Sequence, residues 1–184
     1  MDEKNKKIIF IPGWLHTVKF YGDYDGLDIW ADDSDFDVTI NVDCIIAYSL
    51  GTNFALLNWK KNPAKKLILV NPLVAKQNPL NWFWRWIKYY FGEGDVLDKN
   101  INKIKIFSGL RKAYQILNND FVEIIKNIPN ENIIIIRGQG DDYFCHQSFV
   151  PFLREQCDLF IEVENARHNW NESLKKEVDR LIKI

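Results

Sequence analysis

One stretch constrains this chain more than any other: Asp43-Cys-Ile-Ile-Ala-Tyr-Ser-Leu-Gly-Thr-Asn-Phe-Ala-Leu-Leu-Asn58. The apolar run from Cys44 to Ala47 is long enough for a buried strand. Ser49 and Gly51 follow at once, and Phe54, Ala55, Leu56, Leu57 and Trp59 begin a helix-like segment. A strand that turns sharply into a helix, with serine at the apex, projects the hydroxyl out of the turn. The helix N-terminus beneath it offers unpaired N–H groups and a partial positive charge, and both favour an oxyanion at that point. The usual pattern is Gly-x-Ser-x-Gly. Here it reads Ala47-Tyr48-Ser49-Leu50-Gly51, alanine meeting the same need for little bulk beside the turn. An ordinary strand-to-helix loop can carry the same five residues, so the rest of the chain has to decide.

Bulk properties narrow the class. A chain of 184 residues fits one domain, 1–184, with a real core. A net charge of −1 gives no electrostatic reason to expect nucleic acid or an anionic membrane as partner. Cys44, Cys145 and Cys157 are an odd number without paired spacing. They read as free thiols in a reducing compartment and not as a disulfide frame or a zinc site. The apolar run Ile8 to Pro12 is too short for a signal-peptide core, and no run is long enough to span a bilayer. The expectation is a soluble cytoplasmic protein with no stable membrane insertion. Seven Trp and twelve Phe are in excess, and an excess of this kind can line an apolar pocket.

Strand signals recur along the chain. Lys7 to Pro12 reads as the first, closed by Pro12-Gly13. Leu15 to Asp25 reads as a short helix or a loop, and Leu27 to Ala31 as a second short strand. The acidic run Asp32 to Asp37 lacks the glycine and terminal Glu of a calcium loop, and reads as a solvated turn or helix start. Leu67 to Val70, Asn132 to Arg137 and Leu159 to Val163 complete the strands, with helical segments at Ser148 to Gln156 and Ser173 to Ile184. Strands alternating with helical matter imply parallel βαβ units. The fold class is therefore α/β, a mostly parallel central sheet with helices on both faces. Residues 73–130 carry no strand signal and read as a helical insertion, a lid over an apolar site. Its most aromatic part is the helix 81–91. Two amphipathic segments follow it, near 101–118 and 119–128.

A serine hydroxyl needs a base, and the base needs an orienting acid. In a parallel sheet such groups gather beyond the carboxyl ends of the strands. Ser49 follows one strand, Asp141 and Asp142 follow another, and His168 follows the last. Asp141 stands at the strand exit and is preferred as the acid; Asp142 is the alternative. His16 and His146 are the remaining histidines. An oxyanion site needs two backbone N–H donors. Leu50 supplies one, and Trp14 in the loop after the first strand supplies the other.

Taken together, Ile11-Pro12-Gly13-Trp14, Ala47 to Gly51, Leu69-Val70-Asn71-Pro72, Gly138 to Asp142 and Ala166-Arg167-His168-Asn169 resemble a compact α/β-hydrolase. The resemblance runs through nearly the whole chain. It is similar in part to the carboxylesterases that cleave pimeloyl esters in biotin synthesis, and in part to small serine hydrolases without a large lid. It implies a nucleophilic Ser49, a general base His168, an acid at Asp141 or Asp142, and the two N–H donors. It also implies hydrolysis of an ester or thioester of a small molecule or an acyl carrier, with no metal or organic cofactor. Departures from the family are Ala47 for glycine, Pro12 for a frequent histidine, and a short segment from Gly13 to Ser49, where an early strand or helix must be trimmed. A second expectation is a catalytically silent binding module that uses the aromatic helix 81–91.

Overall fold

The structure, a computed structural model, describes residues 7–30, 41–59, 61, 63–74, 78–94, 98 and 103–183. The acidic run 32–37 lies outside the described residues. Five strands form one parallel sheet in chain order: β1 (Ile8–Ile11), β2 (Cys44–Tyr48), β3 (Lys66–Val70), β4 (Ile133–Gly138) and β5 (Leu159–Val163). The helices are α1 (Leu50–Trp59), α2 (Pro79–Glu93), α3 (Lys103–Leu117), α4 (Phe121–Ile125), α5 (Val150–Glu155) and α6 (Glu172–Ile182).

Strands buried on both faces carry unbroken apolar runs, which is why Ile133 to Ile136 needs no polar alternation. One face of the sheet presents Ile45, Ala47, Leu67, Leu69, Ile133 and Ile135 to Phe54 and Leu56 of α1, Ile125 of α4 and Leu153 of α5. The opposite face presents Ile46, Tyr48, Ile68, Val70, Ile134 and Ile136 to Val18, Tyr21 and to Leu174 and Val178 of α6. Right-handed crossovers that always step the same way place their helices on one face. The other face is covered by α6, the last element, and by the segment after β1.

The expected strand Leu27 to Ala31 is corrected. Among the described residues one parallel bridge forms on the outer edge of β1, between Phe10 and Gly26. The Phe10 N–H donates to Asp25 O and the Leu27 N–H donates to Phe10 O. Extension ends there because the Ile29 N–H donates back to Leu27 O at 2.8 Å, a three-residue turn. The Trp30 indole N–H then donates to Pro12 O and draws the chain beneath the first loop. Between Leu15 and Asp25 a single 3-10 turn forms, Val18–Phe20.

Beyond their carboxyl ends the strands remain stitched together. The Ser49 N–H donates to Val70 O, Asn71 N–H to Ile136 O, and Gln139 N–H to Val163 O. The loops leaving β2, β3 and β4 are each thus held by the next strand, and the residues just past β2, β3, β4 and β5 stand side by side.

Candidate active site

Ser49 sits between β2 and α1 with φ 51°, in the left-handed region. A turn this tight brings α1 against the end of β1. A Cβ on Gly51 would lie 2.5 Å from the Pro12 carbonyl oxygen, so only glycine fits there. Ser49 Oγ lies 2.9 Å from His168 Nε2. His168 Nδ1 lies 2.6 Å from Asp141 Oδ2. With Asp141 ionised, that bond places the Nδ1 proton on His168 and leaves the Nε2 lone pair facing the serine. Both Asp141 and His168 are buried, at 0 % and 2 % exposure, whereas Asp142 is exposed. Burial is the largest influence on the Asp141 carboxyl and would raise it. The facing His168, together with backbone N–H groups of Phe144 and Cys145, outweighs burial and holds the carboxyl below the usual aspartate range.

Of the other histidines, His146 is exposed and its Nδ1 accepts from the Ser148 N–H, capping a short 3-10 turn. His16 lines the cavity above Ser49, with its Nδ1 2.9 Å from the Trp14 carbonyl. The loop after β1 folds as a four-residue turn, the His16 N–H donating to Gly13 O. Its third residue, Leu15, is held at φ 59°, a costly conformation for a bulky side chain. Among the described residues, no protein acceptor meets the backbone N–H of Trp14 or of Leu50. The cavity encloses about 200 Å³ and is walled by Trp14, Leu73, Trp82, Trp86, Tyr89 and Phe144. The Trp14 ring meets Trp82 and Trp86 edge-on, at centroid distances of 4.4 and 5.0 Å. Among the described residues no group of three His, Cys, Asp or Glu is arranged to hold a metal ion.

No family model matches the chain, and no curated protein matches it. Solved structures do. An N-formylmaleamic acid deformylase from Pseudomonas putida S16 superposes with a TM-score of 0.64 at 13% identity, covering 95% of this chain and 91% of that one. MGS-M2, an α/β-hydrolase enzyme from a deep-sea metagenome library, gives 0.63 at 12% identity over 99% and 89%. MenH from S. aureus gives 0.59 at 16% identity over 99% and 93%. The fold is that of the α/β-hydrolases.

Within this α/β-hydrolase frame, a set of buried polar residues holds the loops, and sequence reasoning did not single them out as site residues. Asn71, fully buried at φ 45°, donates from Nδ2 to the carbonyls of Arg167 and His168, both at 2.9 Å. Its Oδ1 accepts from the Gly138 N–H at 2.7 Å. The Tyr48 hydroxyl donates to the same His168 carbonyl. Arg137, fully buried, donates to the carbonyls of Gln139, Asp141 and Cys145 and pairs with Glu162, so one guanidinium sets the path of the loop that carries Asp141. A charged residue closing an isoleucine run within the same strand was the available signal, since a buried arginine demands partners. Asn71 stood out in the sequence only as a member of Leu69-Val70-Asn71-Pro72, after a strand.

The end of α2 docks on the His168 loop. Tyr89 donates its hydroxyl to Asn169 Oδ1, and the Asn169 N–H donates to a Glu93 carboxylate oxygen at 3.4 Å. The other Glu93 carboxylate oxygen is buried without a hydrogen-bond partner among the described residues. Burial raises the Glu93 carboxyl above the usual glutamate range.

Asn71→Ala is expected to destabilise the fold by about 2 kcal/mol, chiefly because it orphans the buried Gly138 N–H, at roughly 1–3 kcal/mol for a buried donor. Chemical denaturation measures this, and a loss below about 1 kcal/mol would show that these bonds are not structural.

Proposed function

We propose that this chain is a serine hydrolase that cleaves a carboxylic ester or thioester with an apolar acyl group, through an acyl-enzyme. The observation that carries the proposal is the unbroken chain from Ser49 Oγ through His168 to Asp141, at 2.9 and 2.6 Å. Both distances are within hydrogen-bond reach, the first allowing proton transfer and the second orienting the imidazole. In the proposed reaction Ser49 Oγ attacks the substrate carbonyl carbon as His168 Nε2 takes its proton. The carbonyl oxygen becomes an oxyanion received by the free N–H groups of Leu50 and Trp14, with the first turn of α1 adding its positive end. Asp141 holds the Nδ1 tautomer and stabilises the imidazolium. His168 then gives the proton to the departing alkoxide or thiolate. Water, deprotonated by the same Nε2, attacks the acyl-enzyme and frees the acid.

The size and lining of the cavity support the acyl group's character. About 200 Å³ walled by indole and phenyl rings suits a compact apolar acyl chain. In this reading, since α4 packs on the sheet, α2 alone of the helices within 73–130 serves as the lid. Its Trp82, Trp86 and Tyr89 roof the cavity, and its C-terminal end is tied to the loop that carries the base. The similar structures include a deformylase and a monoacylglycerol lipase. Steady-state hydrolysis of a short p-nitrophenyl ester, comparing the natural chain with Ser49→Ala, tests the proposal.

A further inference from the structure

Helix α2 has two apolar faces, and only one belongs to the cavity. At 100° per residue, Trp82, Trp86 and Tyr89 fall on one side and line the pocket. Leu80, Phe83, Trp84, Ile87 and Phe91 recur at the i, i+3, i+4, i+7 spacing on the other side. They point outward: Leu80 is 70 % exposed, Phe83 43 %, Trp84 61 % and Phe91 82 %, with Ile87 half-buried. A surface helix ordinarily turns charged residues to water on that side. Here a charged residue flanks the stripe. Lys88, exposed, lies along one border and the ring of Tyr90 along the other, while Arg85 sits nearer the cavity side and donates to the Tyr143 carbonyl at 3.4 Å. The acid on this helix, Glu93, is turned inward to Asn169.

We propose that the outward face of α2 is a docking face for a lipid bilayer that bears anionic headgroups, on which the protein rests peripherally. Charge complementarity argues for that occupant. An apolar stripe rich in Trp and Phe, bordered by the Lys88 ammonium and with no acid of α2 on the same side, matches the water–lipid boundary, where aromatic rings settle and Lys meets acidic headgroups. The extent of the stripe argues the same way. The exposed parts of these side chains amount to roughly 600 Å², given the 150–250 Å² carried by each whole aromatic. A stable protein–protein interface needs about 800 Å² per partner. One helix face lying in the headgroup layer needs no such continuity. The whole-chain charge of −1 averages this local positive border away. The face requires no membrane span, and among the described residues no helix is long and apolar enough to form one.

Vesicle co-sedimentation tests this without recourse to turnover, so its outcome is separate from that of the hydrolase proposal. The natural chain is expected to sediment with vesicles of phosphatidylcholine mixed with phosphatidylglycerol, and far less with phosphatidylcholine alone. Lys88→Gln is expected to weaken the binding about fivefold, the effect of roughly 1 kcal/mol per basic residue near an anionic surface. The double variant Trp84→Glu, Phe91→Glu, with unchanged far-ultraviolet circular dichroism, is expected to stay in the supernatant. A natural chain that remains in the supernatant with the mixed vesicles overturns the proposal. So does equal binding to both vesicle types, or a double variant that sediments like the natural chain. A dimer in solution that the double variant dissolves, without vesicle binding, assigns the face to a second copy and likewise overturns it.

Discussion

Ser49→Ala is expected to lower turnover of a short p-nitrophenyl ester by about a million-fold, the order of loss when a nucleophile that works as a unit with its base is removed. The size follows from the geometry. The substitution removes one oxygen, the atom 2.9 Å from His168 Nε2, and leaves the Leu50 and Trp14 N–H groups in place. What remains is binding and oxyanion stabilisation without a covalent route. Stability should hardly change, because Ser49 is only half-buried and its Cβ and left-handed backbone are retained. A thermal melt within about 0.5 kcal/mol of the natural chain, the usual spread for a benign substitution, is the companion expectation. Residual turnover within tenfold of the natural chain would remove Ser49 from the chemistry.

The second large effect separates the two aspartates. Asp141→Asn is expected to lower the same turnover about ten-thousand-fold, as a wrong histidine tautomer does. An asparagine at 141 still accepts from the Phe144 N–H through its amide oxygen, a bond of 3.1 Å for Asp141 Oδ1. Its NH2, however, would replace the oxygen that faces His168 Nδ1 and would demand a lone pair there. The imidazole proton then moves to Nε2, where it meets the Ser49 hydroxyl and cannot receive its proton. Asp142 is exposed, and Asp142→Asn is expected to change turnover by less than about twofold. Equal losses from the two substitutions would mean that the acid has been assigned to the wrong carboxylate.

Much of this arrangement is legible in the sequence because it is repeated by rule. Strands buried on both faces must be apolar runs, so Cys44 to Ala47, Leu67 to Val70 and Ile133 to Ile136 announce themselves. A parallel sheet collects its loops at one end, so a serine, an aspartate and a histidine that each follow a strand become candidates without any knowledge of distance. The supports are different. Asn71 meets the His168 carbonyl across 97 positions of sequence, and Tyr48 meets it across 120. No local pattern encodes such a partner, and an asparagine after a strand looks like any turn former. The strand expected at Leu27 to Ala31 failed for a related reason. Its apolar residues satisfy the periodicity, but the Ile29-to-Leu27 hydrogen bond turns the chain after one bridge to β1. Helix α2 gave an ambiguous signal because it is apolar on two sides. The sequence shows the rings, and only the fold shows that Trp82 faces inward while Trp84 faces out.

The central claim is that Ser49 is a nucleophile activated by His168. Intact-protein mass spectrometry after treatment with a fluorophosphonate probe, followed by peptide mapping, tests it most directly. The account predicts a single adduct on the peptide that contains Ser49, absent from Ser49→Ala and strongly slowed in His168→Ala. Folded natural chain that stays unlabelled, or labelling that persists in Ser49→Ala, would contradict it.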